Sequence, residues 1–401
     1  MKYKELLKNW FSEKNETAVN LLKDLVAQDT VNPPGNEYRA AKVMTNFLDS
    51  CGITWKNYEK KQGRSNIIAK IGKGKPSIFV PAHLDVVPVN ANEWKHNPFE
   101  IKIENGYAYG RGVNDNKGPL VSVLLLAEFL KKHEDELNGT FIIGGVADEE
   151  CGSEFGVTYL LEQKAIDADY AIVPDNGLGL QKVTHGEKGL LQISLTFFGK
   201  AGHCSTPEAG LNVIWAANCF LNQINKLFDK NIGSGYLKQK AIPYFSNTTM
   251  SVSKISAGTT VNIIPDKCEI TIDIRYTPAD TMEAIISKVK KSAEYVKTKK
   301  LCSDFELNVL NHMLPFMVNE NTKLIKAVQS AMKIMENTNV ELIGLSGTTV
   351  SKQLVEAGIP SIGFSQNAES TAHTSAERLK LTEIPRLGIA LGLTFFEITK
   401  K

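Results

Sequence analysis

The sequence predicts an α/β protein in which helices cover both faces of a mostly parallel sheet, with a small α+β domain inserted. Strands alternate with helices up to His185 and again from Asn321, and several apolar strands end in acidic or imidazole side chains. Between them the order is strand, helix, strand, strand, helix, strand, typical of a four-stranded split βαβ domain. With 401 residues the chain is long enough for two or three domains. We therefore predict a main domain at 1–186 and 313–401 and an inserted domain at 187–312.

Two helices are expected over roughly the first 50 residues. Apolar residues recur at helical spacing from Glu13 to Gln28, after a charged amphipathic start at Met1–Trp10. The turn residues Asn32-Pro-Pro-Gly-Asn36 end that pattern. A second helix follows at Glu37–Ser50 and closes at Cys51-Gly52.

The rest of the main domain is predicted from apolar runs and from helical spacing. A long apolar helix has Pro119 in its first turn, where proline is favoured. The expected strands are Ile53–Tyr58, Asn66–Ile71, Ser77–Val80, Thr140–Val146, Tyr170–Val173 and Pro360–Phe364, and the expected helices are Pro119–Lys132 and Asn321–Met335.

The inserted domain is predicted from strands that alternate apolar and polar residues and from two amphipathic helices. The expected strands are Leu190–Phe198, Thr248–Ile255, Cys268–Arg275 and Phe305–Leu310, and the expected helices are Asn212–Phe228 and Met282–Val296.

Composition excludes several classes of function. A net charge of +2, from 46 basic and 44 acidic residues, gives no footprint for nucleic acid or for an anionic membrane. The longest apolar run, Leu120–Ala127, is too short to span a bilayer. The start of the chain lacks the apolar core of a signal peptide, and the six cysteines form no Cys-x-x-Cys pair. We expect reduced thiols and a cytoplasmic location.

A histidine and a carboxylate follow the apolar strand that organises the main domain. His83 and Asp85 are separated by one residue, so on an extended backbone their side chains leave on the same face. Asp85 could accept one ring N–H and leave the other nitrogen for a cation. The alternative is a core histidine that a neighbouring aspartate satisfies.

Further metal-ligand residue types recur at or just after strand ends and in a polar loop near the end of the chain. Taken alone, each acidic residue of this set would be a turn or cap residue. Their recurrence at successive strand ends favours one shared site, because ligands of such folds gather at the carboxyl ends of the strands. Two imidazoles and three carboxylates suit zinc, with cobalt or manganese as substitutes. Besides His83, the candidates are Asp115, the pair Glu149-Glu150, Asp175 and His373.

Two divalent metal ions about 3.5–4 Å apart need a carboxylate that bridges them. Asp115, central in the set, is the natural bridge. Glu149 and Glu150 are adjacent, so they cannot both point at the same ion. One of them would bind metal, and the other would act as the general base that takes a proton from water.

Several short segments resemble the motifs of the co-catalytic zinc aminoacylases and exopeptidases. That family includes acetylornithine deacetylase, succinyl-diaminopimelate desuccinylase, aminoacylase, carboxypeptidase G and bacterial dipeptidases. The resemblance covers essentially the whole chain, in order. The segments are His83-Leu-Asp-Val-Val-Pro88, Tyr109-Gly-Arg-Gly-Val-Asn-Asp-Asn-Lys-Gly118, Asp148-Glu-Glu-Cys-Gly152, Gly202-His-Cys-Ser-Thr-Pro-Glu208, Val261-Asn-Ile-Ile-Pro265, Asp273-Ile-Arg275 and Ala372-His373.

The resemblance implies a role for each residue of the metal site. It implies one zinc ion on His83 and Asp175, a second on Glu150 and His373, and Asp115 as the bridge, followed by a cis peptide at Asp115–Asn116. It further implies catalytic roles for Glu149, the general base, and for Asp85, the partner of His83.

Residues of the inserted domain would complete the site. The resemblance implies that His203 stabilises the oxyanion and comes from the neighbouring subunit in dimeric members. It implies that Asn262 and Arg275 bind the carboxylate end of the substrate, for which the arginine fork is suited. Gly347 and Thr348 resemble a backbone-lined wall of the substrate pocket, with a simple turn at a helix start as the alternative.

The resemblance leaves the substrate open. Deacetylases and desuccinylases commonly carry an aspartate in the segment that here has Ser346-Gly-Thr-Thr-Val350. The segment Asn114-Asp-Asn-Lys-Gly118 favours the dipeptidases, whereas Val31-Asn-Pro-Pro-Gly-Asn-Glu37 favours the deacetylases and desuccinylases. We predict a metal-dependent hydrolase that cleaves the amide of an N-acyl amino acid with a metal-activated water and a glutamate base. The alternatives are a dipeptidase or carboxypeptidase and, remotely, a non-catalytic binding protein.

The size of the inserted domain is that of dimerising members of the family. We therefore expect a homodimer through this domain, which would also act as a lid. The expected partner in solution is a small molecule with a free carboxylate.

Overall fold

The computed structural model describes residues 2–228, 245, 247–367, 369 and 371–400. The chain divides into two compact units. The large unit comprises Met1–His185, Val318–Leu342 and Thr349–Lys401, and the small unit comprises Gly186–Met317 and Ile343–Thr348. The bounds 187–312 of an inserted domain stay a prediction.

The helices of the described chain differ from the prediction mainly at the start. Three helices occupy the first 50 residues instead of two, because the backbone leaves helical geometry at Lys14, with φ −100° and ψ 9°. The α-helices are α1 (Lys2–Glu13), α2 (Asn15–Val26), α3 (Tyr38–Ser50), α4 (Lys117–Lys132), α5 (Val157–Glu162), α6 (Val213–Phe228), α7 (Met282–Thr298), α8 (Lys323–Glu336), α9 (Ser351–Glu356) and α10 (Glu383–Thr399). None of the described helices is long and apolar enough to cross a bilayer.

The strands of the described residues form three sheets. They are β1 (Trp55–Glu59), β2 (Ser65–Gly72), β3 (Ser77–His83), β4 (Lys102–Glu104), β5 (Tyr107–Tyr109), β6 (Thr140–Val146), β7 (Tyr170–Val173), β8 (Lys182–Glu187), β9 (Gly189–Phe198), β10 (Thr249–Ala257), β11 (Lys267–Tyr276), β12 (Asp304–Met313), β13 (Phe316–Met317), β14 (Glu341–Leu345), β15 (Ser361–Gly363) and β16 (Arg378–Lys380).

The central sheet of the large unit has the order β1-β2-β6-β3-β7-β15-β8. Its four middle strands, β6, β3, β7 and β15, run parallel to one another. Strands β1 and β2 on one side and β8 on the other run antiparallel to their neighbours. A small sheet of β16, β5 and β4 also belongs to this unit.

Helices pack against both faces of this sheet. Successive side chains of a strand point to opposite faces, so neighbouring residues of β6 contact different helices. On β6, Phe141 packs edge-to-face against Phe395 of α10, with ring centroids 5.6 Å apart. The next residue, Ile142, belongs instead to a buried cluster with Leu160 of α5 and Leu354 of α9. The long helix α4 is almost wholly buried and packs against β2, β3 and β6. The predicted α/β class is confirmed.

The small unit is a four-stranded antiparallel sheet in the order β10-β11-β9-β12. Strand β11 alternates buried and less buried residues along its whole length. Its buried set, which includes Ile270 and Ile274, packs with residues of α6 and α7 in one apolar core. Among the described residues of 189–313, the elements follow the predicted order, β-α-β-β-α-β.

Candidate metal centre

The candidate residues of the large unit lie where its parallel strands end. Strand β3 ends at His83, β6 runs into the turn Asp148–Glu150, and β7 runs into Pro174-Asp175. Parallel neighbours place their carboxyl ends along one edge of a sheet. The fold therefore gathers side chains that are far apart in the sequence.

The first group consists of His83, Asp115 and Asp175. Nε2 of His83 lies 2.8 Å from Oδ1 of Asp115 and 3.9 Å from Oδ1 of Asp175. Nδ1 of His83 lies 3.0 Å from the backbone oxygen of Asp85. If Nδ1–H donates to that carbonyl, Nε2 is the ring atom left to face the two carboxylates.

The second group consists of Asp115, Glu150 and His373. Nε2 of His373 lies 3.1 Å from Oδ2 of Asp115 and 3.2 Å from Oε1 of Glu150. The two oxygens of Asp115 thus face different imidazoles. This arrangement is the one that a carboxylate shared by two cations requires.

The donor set fits a pair of divalent cations. In each group, one ligand atom from every residue lies within 4.8 Å of the others. Imidazole nitrogen with carboxylate oxygen is a ligand set that zinc, cobalt and manganese accept. When ionised, Asp115, Glu149, Glu150 and Asp175 carry four negative charges, which two divalent cations would neutralise.

The protonation equilibria report the same excess of negative charge. Burial acts to lower the pKa of His83, but its hydrogen bond to Asp115 and the nearby carboxylates raise that pKa well above its usual value. Burial, then the charge of Asp115, raises the pKa of Asp175. Hydrogen bonds to Asp115 and Glu150 raise the pKa of His373 to about 10. In the metal-free protein, protons bound to His83, Asp175 and His373 therefore offset part of the negative charge that cations would neutralise.

The two adjacent glutamates have different surroundings. Glu150 contacts His373, whereas no described residue donates a hydrogen bond to the carboxylate of Glu149. Burial, followed by the charge of Asp175, raises the pKa of Glu149 well above its usual value. A carboxylate free of partners beside a cation site can accept and return a proton.

The contact of Asp85 differs from the expected one. Its carboxylate Oδ1 lies 3.5 Å from Nδ1 of His83, farther than its own backbone oxygen. The two carboxylate oxygens instead accept the backbone N–H groups of Glu149, at 3.1 Å, and of Glu150, at 3.2 Å. Asp85 therefore holds the acidic turn, and the backbone carbonyl is the nearer acceptor for the imidazole.

The Asp115 loop is held by residues that the sequence did not single out. The Asp115–Asn116 peptide is cis, as the resemblance implied. The Asn116 amide donates to the backbone oxygen of Pro174 at 2.9 Å and to Oδ1 of Asp175 at 3.1 Å. The buried carboxylate of Glu377, paired with Arg111, accepts the backbone N–H of Asp115 at 3.2 Å.

A second buried network supports the Asp148–Glu150 turn. It joins Asn32, Glu37 and Arg64 to Asp148, and all four side chains are almost completely buried. The available signals were a glutamate closing the motif Asn32-Pro-Pro-Gly-Asn-Glu37 and an arginine at the start of an apolar strand. Neither signal indicates which residue the side chain would contact.

The remaining predicted site residues lie in the small unit. His203 and Asn262 are close, because the backbone N–H of Cys204 donates to the backbone oxygen of Asn262 at 3.0 Å. Asn262 precedes Lys267, the first residue of β11. Arg275 lies near the other end of that strand, where its Nε donates to Asp273 at 2.8 Å. Gly347 and Thr348 follow β14, and the buried hydroxyl oxygen of Thr348 has no hydrogen-bond partner among the described residues.

Comparison with known proteins gives one consistent result. Residues 79–393 match the model of peptidase family M20/M25/M40. An uncharacterized metallohydrolase of Methanocaldococcus jannaschii is 31% identical over 417 residues, which cover 96% of this chain and 99% of that protein. A probable succinyl-diaminopimelate desuccinylase of Staphylococcus aureus is 27% identical over 360 residues, covering 84% and 87%.

A solved structure shows the same fold. The crystal structure of a tripeptidase from Staphylococcus aureus superposes with a TM-score of 0.76 at 20% identity, covering 96% of this chain and 99% of that one. The resemblance drawn from the sequence motifs is confirmed.

Proposed function

Because this chain belongs to peptidase family M20/M25/M40, we propose that it is a two-metal amide hydrolase whose substrates are N-acyl amino acids. The predicted class, an enzyme that acts on amide bonds, is confirmed by that membership. One observation carries the proposal: the two oxygens of Asp115 face two different imidazoles, beside the unpartnered carboxylate of Glu149.

His83, Asp115 and Asp175 would hold one cation, and Asp115, Glu150 and His373 the other. When bound, the cations supply Lewis acidity, which polarises a carbonyl oxygen and acidifies water. We take both as zinc, with cobalt or manganese as substitutes.

Glu149 is the general base of the proposed reaction. Its carboxylate takes the proton from the attacking water and then delivers it to the nitrogen of the leaving amine. In the metal-free protein, burial is the largest cause of the raised pKa of Glu149. Asp85 fixes the backbone from which this side chain projects.

Residues of the small unit are proposed to bind the substrate. Asp273 engages Nε and Nη2 of Arg275, at 2.8 and 3.4 Å, and orients the guanidinium while Nη1 stays available for a carboxylate. The unpartnered hydroxyl of Thr348, beside Gly347, is suited to a polar group of the substrate. Asn262 and His203 would contact the reacting amide and its oxyanion.

These residues support a homodimer. His203 and Asn262 lie at the Lys267 end of β11, whereas Arg275 lies about 25 Å away at the other end, at 3.3 Å per residue. One small unit therefore does not present all three side chains to the same small substrate. A second copy would supply His203 and Asn262 to the site that Arg275 serves. Val261, beside Asn262, is fully exposed, as is expected of a segment that packs against a second copy of the chain.

The free cysteines support a reducing compartment. All six cysteines are unpaired, and two of them, Cys268 and Cys302, are buried. Disulfides are rare in the cytoplasm, where thiols are kept reduced. We keep the cytoplasm as the proposed location.

The acyl group is the open part of the proposal. A relative named as a probable succinyl-diaminopimelate desuccinylase is 27% identical over 360 residues, which favours deacylation. The Asn114-Asp-Asn-Lys-Gly118 segment favours dipeptide hydrolysis, which is the second candidate.

A substrate panel separates these two functions. Acetyl- and succinyl-amino acids and a set of dipeptides would be assayed with added zinc, cobalt or manganese. We expect the highest kcat/KM on an acyl-amino acid with a free carboxylate. Faster turnover of dipeptides would replace the deacylase by the dipeptidase, and no hydrolysis of any amide would overturn both.

A further inference from the structure

We propose that Arg64 is a positioning residue that sets the geometry of the Asp148–Glu150 turn. The inference rests on the proposed function, which gives Glu149 and Glu150 their roles. Arg64 contacts neither glutamate and acts through Asp148.

The guanidinium of Arg64 joins two carboxylates inside the protein. Nε and Nη2 donate to the two oxygens of Glu37, each at 2.7 Å. Nη2 also donates to Oδ1 of Asp148 at 2.7 Å. Arg64 is 5% exposed and Glu37 is fully buried, so these charge-assisted bonds are little screened by water.

Asn32 continues the network to Asp85. Its Nδ2 donates to Oδ1 of Asp148 at 3.0 Å and to Oδ2 of Asp85 at 2.8 Å. Asp85 in turn accepts the backbone N–H groups of Glu149 and Glu150. The chain of contacts thus runs from Arg64 to the backbone of both glutamates.

The same network fixes the entry to the turn. The backbone N–H of Asp148 donates to Oε1 of Glu37 at 3.2 Å, and Oδ2 of Asp148 accepts the N–H of Phe155 at 3.1 Å. Asp148 has φ +64°, in the left-handed region that non-glycine residues seldom adopt. Such a conformation persists where the surroundings determine it.

The protein provides a close-fitting cradle for this arginine. A Cβ on Gly35, which has φ +103°, would lie 2.4 Å from Nε of Arg64, so only glycine permits this approach. The guanidinium carbon also lies 4.9 Å from the ring centroid of Phe155. A lysine would keep the charge, but its single ammonium lacks the planar fork that spans Glu37 and Asp148.

Without this fork, a single cation can no longer bond Glu37 and Asp148 together, and one of these buried carboxylates loses its partner. The two carboxylates would separate or take up protons, and the Asp148–Glu150 turn would shift. The backbone of Glu149 and Glu150 would move with it. Residues that orient metal ligands in this way typically contribute about 10- to 100-fold to metal affinity or activity.

The test uses Arg64→Lys and Asn32→Ala in the full chain, with Arg386→Met as the matched control. Arg386 also donates to a glutamate through two nitrogens: its Nε and Nη2 lie 3.0 Å from Oε1 and Oε2 of Glu336, in the same unit but away from the turn. The readouts are thermal unfolding, kcat and KM on the best substrate, zinc affinity, and the visible spectrum of the cobalt-loaded protein.

We expect Arg64→Lys and Asn32→Ala to lower kcat about 10-fold or more, with KM within about threefold of wild type. We also expect weaker retention of one cation and an altered cobalt spectrum. Arg386→Met should lower the unfolding temperature and leave kcat, zinc affinity and the spectrum unchanged.

Arg64→Lys and Asn32→Ala proteins with wild-type kcat, zinc affinity and cobalt spectrum would overturn the inference. So would a control that changes all three to the same extent, because the effect would then be general destabilisation. An inactive wild-type chain on every amide would overturn the proposed function alone, since zinc affinity and the spectrum still report the turn.

Discussion

Nε2 of His373 lies 3.1 Å from Oδ2 of Asp115, although the two residues are 258 positions apart in the chain. The other oxygen of the same carboxylate lies 2.8 Å from His83. One aspartate is thus held between two imidazoles, and each imidazole has a further carboxylate beside it. This arrangement is the physical basis for assigning a two-metal site.

Replacing Glu149 by glutamine should abolish turnover and leave both cations in place. The amide cannot accept a proton, whereas the ligand groups assigned to the cations are untouched. We expect kcat to fall by about 10²- to 10⁴-fold, the usual contribution of a general base. Steady-state kinetics together with elemental analysis would measure both quantities.

Glu154→Gln is the matched control for that variant. Glu154 lies in the same loop region, its side chain is 67% exposed, and it pairs with Lys60 at the surface. Its activity should equal that of wild type. A Glu149→Gln protein as active as this control would remove Glu149 from the mechanism.

His373→Ala should reduce the bound metal to one ion per chain. The group of His83, Asp115 and Asp175 remains intact, whereas the other group keeps only its two carboxylates. Equilibrium dialysis against zinc would give the stoichiometry, with His133→Ala as a control away from the site. Two tightly bound ions in His373→Ala would mean that another residue completes the second group.

Metal loading should release protons, and His373 should supply one of them. In the metal-free protein its pKa is about 10, so at pH 8 the imidazole is protonated and must lose its proton to bind a cation. Zinc affinity should therefore rise as the pH increases towards 10. Calorimetry in buffers of different ionisation enthalpy counts the protons released per chain, and His373→Ala, which also loses the second ion, should release at least one fewer.

The same shift makes the stability of the metal-free protein depend on pH. The folded-state pKa of His373 lies above the usual value of 6.5, so its pairing with Asp115 and Glu150 stabilises fully below about pH 6.5. That contribution is lost as the pH rises through about 10. Urea unfolding of metal-free wild type and of His373→Ala should differ more at pH 6 than at pH 10.5. An equal difference at both values would contradict the assignment.

Mixing two inactive variants should restore activity if His203 acts across the dimer. In a hybrid of His203→Ala and Glu149→Gln, one of the two sites receives an intact base and an intact partner histidine. Random exchange of subunits would give about a quarter of wild-type activity. Each variant alone stays inactive and controls for this gain. No recovery after proven subunit exchange would place His203 in the site of its own chain.

The fold and the set of metal-ligand types could be predicted because both depend on local patterns. The apolar strand before His83 and the acidic turn after β6 are each visible within ten residues of sequence. The sheet then brings their ends together, and the structure places His83, Asp115, Glu150, Asp175 and His373 in two overlapping groups. Their roles as ligands stay a prediction until metal is measured.

The supporting network could not be predicted, because its partners are distant in sequence. Asn32 reaches Asp148 across 116 residues, and Arg111 pairs with Glu377 across 266. No local pattern distinguishes these side chains from surface polar residues. The break at Lys14 was missed for a similar reason, because the position of α1 depends on contacts with the distant helix α10. Tyr3 of α1 stacks on Phe396 of α10, with ring centroids 3.7 Å apart.

The most direct test of the two-metal site is elemental analysis of the gently purified, active protein, combined with chelation. We expect about two divalent ions per chain, loss of turnover when a chelator removes them, and its recovery when zinc, cobalt or manganese is returned. An active protein that holds no divalent cation, and whose rate a chelator leaves unchanged, would contradict the site built around Asp115.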